Sequence, residues 1–103
     1  MQTFDPVRVG EKADLSIGFT RWLATAETIT SVVGGKWTAT VLRGTDPSPE
    51  AIISGNAAVS GPNVVQRIVP LVSGVTYRLD CEIVTSNGQE LIGYGELRVE
   101  EPT

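Results

Sequence analysis

The residues from Val75 to Ile83 constrain this chain more than any other stretch. Val75, Tyr77, Leu79, Cys81 and Ile83 alternate with Thr76, Arg78, Asp80 and Glu82. A strict period of two with one apolar side reads as a half-buried β-strand. Ser73-Gly74 precedes the run, and Asn87-Gly88 follows it before a second strand-like segment, Leu91 to Val99. The pair therefore reads as a long hairpin. Its register follows from parity. A two-residue Asn87-Gly88 turn would set Leu79 opposite Glu96 on the buried face. A three-residue Ser86-Asn87-Gly88 loop, with Gly88 left-handed in a bulge, shifts the register by one. Val75 then faces Val99, Tyr77 faces Leu97, and Ile83 faces Leu91. On the other face Arg78 meets Glu96 as an opposite-charge cross-strand pair.

This register has two consequences. Gly93 and Gly95 face inward opposite Cys81 and Leu79 and leave room for a large core side chain, for which Trp37 is the expected occupant. Ile92 and Tyr94 face outward beside Glu82 and Asp80. Two apolar residues on a charged face form a candidate contact patch, set against the plainer reading of scattered surface hydrophobes.

The rest of the chain follows the same grammar. Turn formers recur at Gly10, Gly34-Gly35, Asp46-Pro47-Ser48-Pro49, Ser60-Gly61-Pro62 and Ser73-Gly74. Ala13, Leu15, Ile17 and Phe19 alternate with polar or small residues, as do Trp37, Ala39 and Val41. Short strands punctuated at this spacing predict an all-β, immunoglobulin-like antiparallel sandwich of about seven strands with Greek-key connections. Residues 20–26 read as a short helical turn or an irregular crossing. At 103 residues the chain is expected to form one domain, residues 1–103, with short terminal arms. A chain of this size buries roughly two-thirds of its unfolded surface, enough for a core without staples.

Composition narrows the function. Eight basic and twelve acidic residues give a net charge of −4. That balance argues against nucleic acid or an anionic membrane as the main partner. There is no histidine and a single cysteine, Cys81. Ser-His-Asp and Cys-His catalysis, an internal disulfide and a Cys/His zinc site are all excluded. Cys81 lies on the apolar side of its strand and reads as a small buried hydrophobe. Asp80 and Glu82 share a strand face near Glu96 and Glu100, so an acid–base pair or a cation site competes with a solvated face. Carboxylates exposed on a flat sheet lack the burial that would separate their pKa values, and no calcium loop is present. Gly93-Tyr94-Gly95 lies inside a strand and is no phosphate loop. Most of the aromatics are expected in the core. No catalytic residue, cofactor or metal is expected. No basic-then-apolar leader and no long apolar run occur, which points to folding in a reducing cytosol.

Leu71-Val72-Ser73-Gly74-Val75-Thr76-Tyr77 matches L-x-x-G-x-x-Y and resembles the tyrosine corner of immunoglobulin and fibronectin type III sandwiches, in which a Tyr hydroxyl bonds back to the chain at a sheet-crossing turn. An ordinary inward Tyr is the alternative.

A wider pattern resembles the small phage fiber-tail adaptor proteins. It comprises Asp5-Pro6, Trp22-Leu23, Glu27-Thr28-Ile29-Thr30-Ser31, Lys36-Trp37, Ser73-Gly74-Val75-Thr76-Tyr77, Thr85-Ser86-Asn87-Gly88 and Leu97-Arg98-Val99-Glu100. The chain departs from it at Gly18-Phe19-Thr20-Arg21, where the family has an acidic approach to the first Trp, and over residues 46–57. The resemblance implies a non-enzymatic virion protein, assembled in a bacterial cytoplasm, that bridges tail or neck machinery to fibers in several copies around a symmetric axis. Candidate protein contacts are Ile92, Tyr94, Asp80, Glu82, Asp46 and Glu50. Residues 1–6 and 100–103 are candidate arms reaching neighbouring subunits. Two other uses compete: a capsid decoration or head–tail joining subunit, and a carbohydrate- or cell-surface-binding module. An enzyme built on the carboxylates is a third.

Overall fold

The structure, a computed structural model, describes residues 2–101. Nine strand segments form two sheets: β1 (Gln2–Thr3), β2 (Val7–Arg8), β3 (Ala13–Gly18), β4 (Ile29–Val32), β5 (Thr38–Arg43), β6 (Ile53–Ser60), β7 (Asn63–Ile68), β8 (Thr76–Thr85) and β9 (Glu90–Glu100). Short 3-10 turns occupy Thr20–Trp22, Val33–Gly35 and Pro49–Ile52. No α-helix occurs among the described residues, so none is long and apolar enough to cross a membrane.

The larger sheet is organised by the β8–β9 hairpin. β1 and β2 share the outer edge of β9 in parallel, and β4 and β5 share the far edge of β8. β3, β7 and β6 form the second, antiparallel sheet. Nine segments thus fill seven strand positions, and the all-β sandwich expected from the turn spacing is what the chain forms.

The hairpin has the register that parity required. Tyr77 pairs with Leu97, Leu79 with Gly95, Cys81 with Gly93 and Ile83 with Leu91. The Thr85 amide donates to Gln89 O at 2.9 Å, which closes a three-residue loop with Gly88 at φ 81°. Only a residue without Cβ adopts that conformation freely.

The inward sides of both sheets make one core. Trp37, Tyr77, Leu79, Cys81, Ile83 and Leu97 from the larger sheet and its approaches meet Val64, Ile68 and Ile52 from the other side, all fully buried. Gln66 is also fully buried, at an inward position of β7. Its amide donates to Ser54 O, Gly55 O and Arg67 O at 3.1 Å, and its Oε1 accepts the Trp37 amide at 3.2 Å. Gln66 therefore serves carbonyls freed by the bulge in β6 between Ser54 and Ala58 and ties the two sheets together, since a buried polar group must be paired. Trp37 Nε1 has no hydrogen-bond partner among the described residues.

Three expectations are corrected. The room over the inward glycines is not filled by Trp37. A Cβ on Gly93 would lie 2.7 Å from Ile17 Cγ2 and 2.9 Å from Phe19 Cζ, and one on Gly95 would lie 2.5 Å from Phe4 Cε2. Trp37 leads into β5, which pairs with β8 on the edge away from β9, and its ring stacks on Phe4 with centroids 6.1 Å apart. Second, Arg78 stands opposite Glu96 but forms its ion pair with Asp80, at 2.8 Å. Third, the Tyr77 hydroxyl donates to Asp46 Oδ2 at 2.5 Å, a side chain of the 46–50 loop. Burial, and then the adjacent carboxylate, raise the Tyr77 phenol well above its ordinary value.

The expected N-terminal arm is partly described. β1 and β2 lie on β9 of the same chain and Phe4 is buried. Met1, Pro102 and Thr103 lie outside the described residues.

Candidate functional site

The outward alternation of β9 and β8 builds the site. Ile92 is 58% exposed and Tyr94 40% exposed. Glu82 and Asp80 stand directly opposite them on β8, half-buried on the same face. Four of the six predicted contact residues are therefore brought together. Asp46 and Glu50 are not part of this group. The Asp46 carboxylate holds the Tyr77 hydroxyl and the Ser48 amide, and Glu50 Oε1 accepts the Ala39 amide at 3.0 Å. Both carboxylates fix the 46–50 segment to the sandwich.

Two residues that sequence reasoning left out complete the face. Trp22 is 55% exposed, whereas Phe4, Phe19, Trp37 and Tyr77 are core, as expected of most of the aromatics. It sits on the 3-10 turn that follows β3, edge-on to the buried Phe19 at 6.4 Å. Phe19 takes the inward position, so the next turn of chain carries Trp22 outward. A groove of about 470 Å³ runs between this turn and β9, walled by Arg21 and Trp22 on one side and Ile92 and Tyr94 on the other, with Ile17 and Gly93 in its floor. Val33, 44% exposed, borders a second groove of about 400 Å³ with Lys36, Arg78, Asp80 and Glu82. Ile92 lines both grooves and forms the ridge between them. No periodic signal marks Trp22 or Val33, because both sit on single 3-10 turns.

Guanidinium groups accompany the rings. Arg78 lies over Tyr94 at 4.2 Å from the ring centroid, and Arg21 lies by Trp22 at 5.8 Å. Asp80 holds Arg78 in place, and this hydrogen-bonded contact is the main reason the Arg78 guanidinium is held even more firmly protonated than usual. Trp, Tyr and Arg are the residues that most often carry binding energy at protein interfaces. Cation–π contact orders the two arginines on the rings in advance, which lowers the entropy lost on docking.

The Trp22 turn is held from behind by Glu27, 7% exposed. Its carboxylate accepts the Thr85 hydroxyl at 2.5 Å, the Ala24 amide at 2.8 Å and the Gln89 side-chain amide. The Thr85 hydroxyl, then the Ala24 amide, hold the Glu27 carboxyl below its ordinary value of 4.5. The segment that follows the Trp22 turn is thus fastened to the β8–β9 loop. On the other side of the sheet Cys81 is sealed, and burial pushes its thiol up to about 12. Among the described residues, no group of three or more Asp, Glu or Cys side chains converges to hold a metal ion.

The chain is thus a two-sheet sandwich with an aromatic and arginine face on one side. Residues 8–93 match the family described as podophage GP4 fiber-tail adaptor protein gp77, and the chain belongs to that family of phage tail proteins. The resemblance first drawn from the order of its Trp, Gly and Tyr motifs is borne out. Among curated proteins, none matches the chain.

Proposed function

We propose that this protein is a non-enzymatic adaptor of a phage virion that bridges tail machinery to tail fibers, and that Trp22, Ile92 and Tyr94 form its principal contact face. The observation that carries this reading is the co-location of three large exposed side chains and two ring-stacked arginines on one face, shared by the β8–β9 hairpin and the Thr20–Trp22 turn, in a chain of the fiber-tail adaptor family. A bridging subunit needs surfaces that hold their shape before the partner arrives. Asp80 and Glu82 supply polar groups around the apolar centre, the arrangement of an interface rim. Asp46 and Glu50 contribute by stiffening the 46–50 loop, which offers a second surface. Several copies around the tail axis would let modest contacts add by avidity.

The test is the double variant Ile92→Ala/Tyr94→Ala. Its near-ultraviolet circular dichroism should match wild type, and its copy number in purified particles should fall. Normal folding with wild-type incorporation would remove this face from the proposal. The exposed Trp22 beside Tyr94 also favours a second reading, a carbohydrate-binding module, since sugars stack on such rings. Binding on a glycan array that is lost in Trp22→Ala would support that reading instead.

A further inference from the structure

The edge of β9 beside the Trp22 groove is open. Along one side β9 pairs with β8 from Glu90 to Arg98. Along the other, β1 meets it at Gly95 and Glu96, and β2 at Val99 and Glu100. Among the described residues no strand covers that edge over residues 90–94. Even-numbered residues of β9 turn their main chain toward it: Glu96 O accepts the Phe4 amide at 2.9 Å and Glu100 O the Val9 amide at 3.0 Å. The same alternation turns the main-chain groups of Ile92 and the amide of Tyr94 to the open stretch. Neither lysine nor proline guards it, the usual protection of a free edge.

The groove beside this edge has a defined chemistry. Arg21 is the one charged residue in its lining. The two ion pairs among the described residues, Arg67–Asp14 and Arg78–Asp80, leave Arg21 without an acidic partner. A cationic wall in a chain of net charge −4 selects an anionic group locally. The Trp22 ring and Ile17 supply an apolar contact next to it.

We infer that the open edge of β9 takes an extended, carboxylate-bearing segment of a partner protein, added as a strand in line with β1, with a carboxylate on Arg21 and an apolar side chain against Trp22. Main-chain pairing gives such strand addition its affinity, and the flanking side chains give it specificity. The inference rests on the adaptor reading and names the chemistry of the partner at that face.

Fluorescence anisotropy with two labelled peptides tests it, one alternating Val with Glu and the other Val with Lys. The Val-Glu peptide should bind wild type in preference to Val-Lys. Arg21→Glu, on an exposed turn, should weaken Val-Glu binding about tenfold and reverse the preference, the scale of a charge contact in a partly desolvated site. Ile92→Pro removes an outward amide without breaking the β8 ladder, so it should abolish binding. Binding of neither peptide, equal binding of both, an unchanged preference in Arg21→Glu, or a neutral glycan as the sole ligand would overturn the inference. If Ile92→Pro does not fold, the charge reversal at Arg21 decides alone. The copy number of the wild-type protein in tails separates the two levels. Its presence there with no peptide discrimination defeats the strand-addition inference only, whereas its absence defeats the adaptor reading.

Discussion

Gly93 gives the sharpest test of how the sandwich is packed. In the middle of a strand, Gly→Ala ordinarily stabilises by about 0.5–1 kcal/mol, because alanine has less freedom to lose on folding. Here the added Cβ would sit 2.7 Å from Ile17 Cγ2 and 2.9 and 3.0 Å from two atoms of the Phe19 ring. Ile17 and Phe19 are 2% and 1% exposed, so neither can swing into solvent. Overpacking of this kind costs about 1–3 kcal/mol. The steric term wins, and Gly93→Ala should lose about 1–2 kcal/mol net. In a domain of this size that lowers the Tm by roughly 5–15 °C. Urea unfolding should show a lower midpoint with an unchanged m value, since the exposed surface is the same. Phe19→Leu clears space for the methyl, so the double variant should be more stable than the sum of the single changes implies. A Gly93→Ala protein as stable as wild type would refute the packing. Coupling to a Trp37 substitution with none to Phe19 would refute it equally, because it would return Trp37 to the space over the glycines.

Other consequences are directly measurable. Tyr77→Phe leaves the ring in place but removes the donor to Asp46, and should cost about 1–2 kcal/mol, less than a fully buried charged hydrogen bond because the carboxylate keeps the Ser48 amide and some water; hydrogen exchange should rise in residues 44–50. Glu27 has its folded pKa depressed below 4.5, so it contributes stability that is complete above that value and lost as pH falls through the folded one. The stability difference between wild type and Glu27→Gln should therefore be largest near pH 7 and shrink below about pH 4.5, and an equal difference at pH 7 and pH 3 would contradict this. Cys81, with its thiol pushed up to about 12, should resist a thiol reagent in the native protein and react at once in denaturant.

The hairpin was legible because its period of two fixes which side chains face inward, and parity with Gly88 then fixes every pair from Tyr77–Leu97 to Ile83–Leu91. Ile92 and Tyr94 followed from that register alone. What escaped depends on contacts distant in sequence or on irregular backbone. Phe4 over Gly95 requires a two-residue strand to pair in parallel with the last one, which no local pattern encodes. The Tyr77–Asp46 bond spans 31 residues. Gln66 sits at a position where alternation calls for an apolar residue, and only the bulge in β6 explains it. Trp22 and Arg21 lie on one 3-10 turn, so nothing in the sequence orients them. The candidate face was therefore half visible: its strand half could be read, and its turn half depended on where Phe19 enters the core.

A protein that sits in a phage tail and joins it to fibers must be present there in a small, fixed number of copies. Quantitative mass spectrometry of purified particles, with the protein counted against a tail subunit of known copy number, tests this most directly. A small ring-like number of copies that remains with isolated tails is the result expected of an adaptor. Hundreds of copies remaining with the capsid, or absence from the particle, would contradict it.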